Sequence, residues 1–185
     1  MRRPRRPPDV SPAALEGAAL FYLERYASSA ENLRRVLMRR VDRAVRAGMA
    51  ERSEAAARVD AVVERLCARR LLDDKAYAEG RARSLSRAGR SRASIARTLA
   101  AKGVDRDSVD AALDGLAEMG ETDLAAAVRF ARKRRLGPYR SAKQRAERRE
   151  RDLAALGRAG FAYDVARLVV DAETPEALAA SAAAG

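Results

Sequence analysis

The stretch that decides the fold runs from Arg69 to Val104: RRLLDDKAYAEGRARSLSRAGRSRASIARTLAAKGV. It begins with two leucines and two aspartates, then turns basic, and its only ring is Tyr77. Asp73 and Asp74 stand where a helix begins: short carboxylates accept from free N-terminal amides and favour the positive end of the helix dipole. The helix they open runs to about Arg87. Gly89 and Gly103 bracket a second helix, on which Ile95 and Leu99 form an apolar stripe and Arg90 and Arg97 lie on the other side. A third, acidic helix follows in VDRDSVDAALDGLAEMG. Leu71 and Leu72 are expected to close the core of whatever precedes.

Working outward, the same plan recurs. SPAALEGAALFYLERYA opens with Ser11 as N-cap and Pro12 in the first turn. A second helix starts at Ser28 or Ser29 and stops at Gly48, with Leu33, Val36, Leu37 and Ala44 on one face and Arg35, Arg39, Asp42 and Arg46 on the other. The third, SEAAARVDAVVERLCARRLL, turns Val59, Val62, Val63 and Leu66 inward. Ser29, Leu33 and Leu37 map onto Ser91, Ile95 and Leu99 at one constant offset. After Glu121 a looser copy ends in Gly160–Phe161, which resembles Gly103–Val104. Val/Ile/Thr-rich alternating runs are nearly absent. The expected fold is all-α: an elongated tandem array of three-helix, helix-turn-helix-like repeats over 11–72, 73–120 and 121–172, with a disordered basic arm at 1–10 and a flexible tail at 173–185.

Composition narrows the chemistry. The 185 residues carry a formal charge of +12 and are 48% hydrophobic, much of it alanine, with 4% aromatics and no tryptophan. The sequence has no histidine, hence no imidazole base and no histidine metal ligand. Cys67 is the single cysteine, which rules out an intramolecular disulfide and a thiolate zinc site; its spacing from Val63 suggests a core or interface thiol. Neither a dinucleotide fingerprint nor a P-loop is present. Asp73–Asp74 is the one conspicuous carboxylate pair, and capping explains it better than catalysis. Tyr77, Phe21 and Tyr22 read as packing residues. The expectation is a binding protein rather than an enzyme, without cofactor or metal. No apolar run is long enough to span a membrane, and a cytoplasmic setting fits the cysteine usage.

The charge is mostly arginine, whose planar fork matches phosphate and carboxylate. RFARKRRLGPYRSAKQRAERRER, Arg129 to Arg151, is the densest run. Arg132, Lys133, Arg134 and Arg135 cover most of a helix circumference, more than matching the helix dipole requires. Arg140, Lys143, Arg145 and Arg148 follow after a break at Gly137–Pro138. With Arg35, Arg39, Arg81, Arg83, Arg87, Arg90, Arg92 and Arg97, these are the candidate contacts for an acidic partner or for nucleic acid phosphate.

Three blocks in this order, LLDDKAYAEGRARS, GRSRASIARTLAAKGV and LGRAGFAYDVARLVV, resemble the RecX family of bacterial recombinase regulators. Leu71, Leu72, Asp73, Asp74 and Tyr77 match the family's entry motif. Ile95, Leu99 and Gly103 match its glycine-bounded helix, and Gly160 and Phe161 its closing segment. The resemblance implies an all-helical, non-enzymatic monomer that binds the RecA recombinase, free and as a filament on single-stranded DNA, and limits filament extension, ATP hydrolysis and strand exchange. DNA contact through the basic surface would be weak and salt-dependent. Arg81 departs from the family, which usually has an aromatic or apolar residue there. The alternative is a basic helical DNA-binding protein without a recombinase partner, with SRASIARTLAAKG as a reading helix. That helix lacks the Asn or Gln that reads adenine.

Overall fold

The structure is a computed structural model and describes residues 8–184. Among these it is all-helical: α1 Pro12–Leu23, α2 Ala30–Arg46, α3 Arg52–Ala68, α4 Asp74–Arg87, α5 Arg92–Ala101, α6 Arg106–Glu118, α7 Asp123–Arg134, α8 Ala142–Arg158, α9 Tyr163–Asp171 and α10 Pro175–Ala184, with a 3-10 turn at Gly137–Tyr139 between α7 and α8. The starts follow local chemistry. Ser11, Ser29, Asp105 and Thr122 each accept a backbone N–H of the following first turn. Glu51 caps α3 by accepting from Ser53 and Glu54, and hydrogen bonds from Ser53 hold its carboxyl down to about 2.

The chain divides into two compact units. The first holds the described residues through Tyr77 together with Lys102–Val104. Its core is a leucine–valine cluster from α1–α3, centred on the fully buried Leu15, Leu33, Leu37, Val59 and Leu66. Burying each leucine contributes about 1.5–3 kcal/mol. The second unit holds Ala78–Ala101 and the chain from Asp105 onward. There α4 turns Ala78, Ala82 and Leu85 inward, α5 turns Ile95 and Leu99, and α6 turns Val109, Leu113 and Leu116. A second cluster gathers Ala127 and Ala131 of α7, Leu153 and Leu156 of α8, Phe161, and Val169 and Val170 of α9.

Four expectations are corrected. Of the two leucines before Asp73, only Leu72 is buried; Leu71 is exposed because the chain turns at Arg70, whose φ is +55°. Cys67 is exposed, since the inward stripe of α3 ends at Leu66 and the next residue lies about 100° further round. The basic arm does not extend through residue 10: Val10 is buried in the first core, and the Asp9 carbonyl accepts from Arg40. Residues 1–7 lie outside the described part. The segment after 173 is not a frayed tail but forms α10, capped by the Thr174 hydroxyl and anchored by the buried Leu178.

The link from α7 to α8 is held by an ion pair. Asp152 is buried and accepts from Arg140 at 2.7 and 2.8 Å and from the Gly137 N–H at 2.9 Å. Burial pushes its carboxyl up, but the bonds from Arg140 and Gly137 and the guanidinium charge more than offset this, and it titrates below the usual carboxylate range. Such a pair is costly to break from one side, by about 3–5 kcal/mol. Asp152→Ala is therefore expected to lower the urea midpoint sharply. Because the folded pKa is depressed, the wild-type increment is complete above the unfolded value near ~3.9 and is lost as pH falls through the lower folded value. A urea series over acidic pH should show a steeper acid limb in the wild type than in Asp152→Ala, where Glu51, Asp105, Glu121 and Asp171 still contribute.

Candidate binding surface

The residues that match between helical units meet in the structure. Ser29 is the N-cap of α2: its hydroxyl accepts from Asn32 N–H at 3.2 Å and donates to the Lys102 carbonyl. Ser91 does the same before α5, accepting from Ser94 N–H at 3.2 Å and donating to the Ala159 carbonyl at 2.9 Å. Both serines are buried. Each acceptor is followed by a glycine with positive φ, Gly103 at +78° and Gly160 at +90°, then by a buried apolar residue, Val104 or Phe161. A side chain would not fit at either glycine. A Cβ on Gly103 would stand 2.3 Å from Glu31 Cγ, and one on Gly160 would stand 2.8 Å from Ser91 Oγ.

The aspartates complete the arrangement. Asp73 caps its own helix, accepting Ala76 N–H at 2.9 Å. Asp74 accepts Ala30 N–H, the first amide of α2, at 2.8 Å. Asp123 accepts Arg92 N–H, the first amide of α5, at 2.7 Å. Both members of the carboxylate pair thus serve helix ends. Among the described residues no cluster of three His, Cys, Asp or Glu is placed to hold a metal ion.

The candidate cations separate into two sets. Several are bound to their own chain. Arg92 donates to the Leu113 carbonyl and pairs with Asp114. Arg140 holds Asp152, and Arg145 closes the end of α9 by donating to the Ala172 and Glu173 carbonyls. Arg35 pairs with Glu31 and Arg83 loosely with Glu79. Arg148 is half-buried beside Asp152. The others face solvent: Arg39, Arg81, Arg87, Arg90, Arg97, Arg132, Lys133, Arg134, Arg135 and Lys143. Arg81 stands on the outside of α4, where Ala78, Ala82 and Leu85 suffice for the inner face. Arg132, Lys133 and Arg134 form the last turn of α7, and Arg135 follows in a left-handed conformation. On α2, Arg39 shares a shallow groove with Val36, Asp42, Arg43 and Arg46.

Sequence reasoning left out two residues that belong with the exposed cations. Phe130 is only half-buried, and Arg134 lies over its ring at 5.4 Å. Arg158, two residues before Gly160, is exposed. Its position just ahead of the Gly160–Phe161 turn was the available signal, but only the fold sets it in one cleft with Arg90.

Serine–glycine seams thus hold the helices within each unit, and the exterior carries exposed arginines. Comparison gives the family. Residues 73–113 match the model of the second three-helix domain of RecX. The regulatory protein RecX of Myxococcus xanthus is 49% identical over 172 residues, covering 92% of this chain and 91% of that protein. The regulatory protein RecX of Agrobacterium fabrum is 43% identical over 107 residues, 57% of this chain and 55% of that one. A crystal structure of regulatory protein RecX superposes with a TM-score of 0.58 at 20% identity, covering 87% of this chain and 74% of the other, and so shares the fold. The chain belongs to the RecX family.

The glycine turns give a paired test. Gly103→Ala combines a left-handed backbone with overlap on Glu31, whereas Gly48→Ala, at φ +69° with open space around it, has only the backbone penalty. Gly103→Ala is expected to cost about 1–3 kcal/mol more than Gly48→Ala by urea denaturation.

Proposed function

We propose that this protein regulates a RecA recombinase, binding it free and as a filament on single-stranded DNA, and that it limits filament extension, ATP hydrolysis and strand exchange. The observation that carries this reading is the identity of 49% across 92% of the chain to a regulatory protein RecX. The surface chemistry supports it. Cations on α2, α4, α5 and α7 face solvent, while the buried polar groups are used to hold helices together. In this reading the chain works as a monomer built from three three-helix repeats, in the cytoplasm. Among the described residues no helix is long and apolar enough to cross a membrane.

The mechanism requires differential affinity. A ligand that bound every recombinase arrangement equally would shift nothing. A helical protein that seats on neighbouring protomers in one filament geometry favours that geometry and opposes addition and release of subunits. The exposed arginines supply charge-assisted contacts to carboxylates or to DNA phosphate.

The second reading is a DNA-binding protein acting without recombinase. Sequence readout by α5 is disfavoured, because Ser94, Ile95 and Leu99 are buried and Arg92 is engaged with Leu113 and Asp114. Phosphate binding alone is separated by salt. About six phosphate contacts lose roughly a thousandfold in affinity between low and moderate salt.

The test is the single-stranded-DNA-dependent ATPase rate of the cognate recombinase, titrated with this protein at two salt concentrations. Inhibition well below one copy per protomer, persisting at the higher salt, is the expected result. Inhibition only at saturation of the DNA, lost at the higher salt, leaves simple competition; no effect at any ratio overturns the recombinase reading. Arg132→Glu with Lys133→Glu, both exposed on α7, is expected to weaken inhibition at least about tenfold, the loss of two charge-assisted contacts, without shifting the melting temperature.

A further inference from the structure

A cleft of about 400 Å3 in the second unit brings together three guanidinium groups and an aromatic ring: Arg90 ahead of α5, Phe130 and Arg134 of α7, and Arg158 of α8, over an apolar floor of Leu136 and Ala155. No carboxylate lines it. Elsewhere in the same unit four half-buried arginines have acidic partners: Arg92 has Asp114, Arg129 has Glu121, Arg140 has Asp152 and Arg149 has Asp171. Arg90, Arg134 and Arg158 are exposed and have no ion pair among the described residues.

The backbone under the cleft is fixed. Gly89, at φ +78°, lies so close to α7 that a Cβ would stand 2.9 Å from Phe130 N and 3.2 Å from the Ala126 carbonyl oxygen. Two residues on, Ser91 is bonded to the carbonyl of Ala159, the neighbour of Arg158. Arg90 is therefore anchored on both sides, between Phe130 and Arg158. Phe130 is backed by the buried Phe161, ring centroids 5.7 Å apart and tilted by 60°. Its half-exposed side has Arg134 over it.

We propose that this cleft binds one nucleotide unit of single-stranded nucleic acid, its phosphates held by Arg90 and Arg158 and its base set against Phe130 and the Arg134 guanidinium plane. This rests on the reading that the basic surface meets DNA, and adds the place where a base enters. The charge selects a polyanion. The ring, Leu136 and Ala155 select one that also offers a flat apolar face, which a carboxylate side chain lacks. A duplex keeps its bases stacked inside, so a single strand supplies that face. The cleft lies within the size range of small-ligand sites, about 300–1,000 Å3.

The test uses the full chain without recombinase. Binding of a labelled twelve-residue oligothymidylate and of an abasic twelve-mer with the same phosphates is followed by fluorescence anisotropy across a salt series. The wild type is expected to prefer oligothymidylate about fivefold or more, the lower end of the stacking range. Arg90→Ala with Arg158→Ala should weaken oligothymidylate binding at least about tenfold and reduce the salt slope by about 1.4, at ~0.7 per lost contact. Phe130→Leu, which keeps apolar bulk against Phe161, should erase the preference for bases, with the melting temperature confirming the fold. Equal binding of the two oligomers by the wild type overturns the proposal, as does wild-type affinity in the double arginine variant. Tighter binding of a labelled polyglutamate peptide, lost in the same variant, would assign the cleft to an acidic protein segment instead. An ATPase titration showing no inhibition would sink the recombinase reading and leave these binding outcomes unchanged.

Discussion

The hydrogen bond from Ser91 to the Ala159 carbonyl, seated against Gly160, is the constraint on which the second unit depends. Its donor, the buried Ser91, already caps a helix, so one hydroxyl satisfies the first turn of α5 and a carbonyl at the end of α8 together. Asp123 adds a second tie on the next amide, joining the start of α7 to the start of α5. A buried hydroxyl or carbonyl left without a partner costs about 1–3 kcal/mol, which makes this docking specific as well as stabilising. The first unit uses the same chemistry between Ser29 and Lys102, with Asp74 on Ala30. The turns at Gly103 and Gly160 take their positions from these seams.

That constraint also explains the two uses of arginine. Where a backbone carbonyl or a carboxylate must be satisfied inside or at a helix end, an arginine reaches it: Arg92 at Leu113, Arg140 at Asp152, Arg145 at Ala172. These side chains are occupied, and substituting them would test stability before it tested binding. The remaining cations stand on faces with no internal demand, and there the positive charge is available to a partner. Sequence cannot sort the two sets, because the acceptors lie 12 to 27 residues away from the arginines that reach them.

The helical content was legible because Ala, Leu, Arg and Glu favour helices and serine, aspartate and glycine punctuate them. The likeness of Ser29 to Ser91 and of Gly103 to Gly160 was legible as repetition. That serine and glycine meet was not, since each bond spans 73 or 68 residues. Cys67 was misread because a helical stripe fixes direction only until the core ends, and Leu66 is its last buried member. Leu71 was misread because adjacency to Leu72 says nothing about facing once the chain turns at Arg70. In the candidate surface, the exposed arginines of α4, α5 and α7 were found by charge alone. Phe130 and Arg158 were not, because one looks like core and the other is a single cation on an acidic-and-basic helix.

Helices α8 and α10 depart from the pattern of the earlier helices. Thr174 caps α10 as Asp73 caps α4 and Thr122 caps α7. The next position holds Asp74 and Asp123 in the earlier helices, and their carboxylates reach back to α2 and α5. In α10 it is Pro175, which has no carboxylate to offer, and the Ser141 hydroxyl at the start of α8 makes no capping bond. The first turns of α8 change accordingly. Counting from the cap, α2 places the buried Leu33 and Leu37 where α8 places Arg145 and Arg149, which bind the Ala172 carbonyl and Asp171. The start of α8 is thus tied by arginine to the end of α9, while Leu153 and Leu156 further along α8 pack with Leu178 of α10 in the shared core.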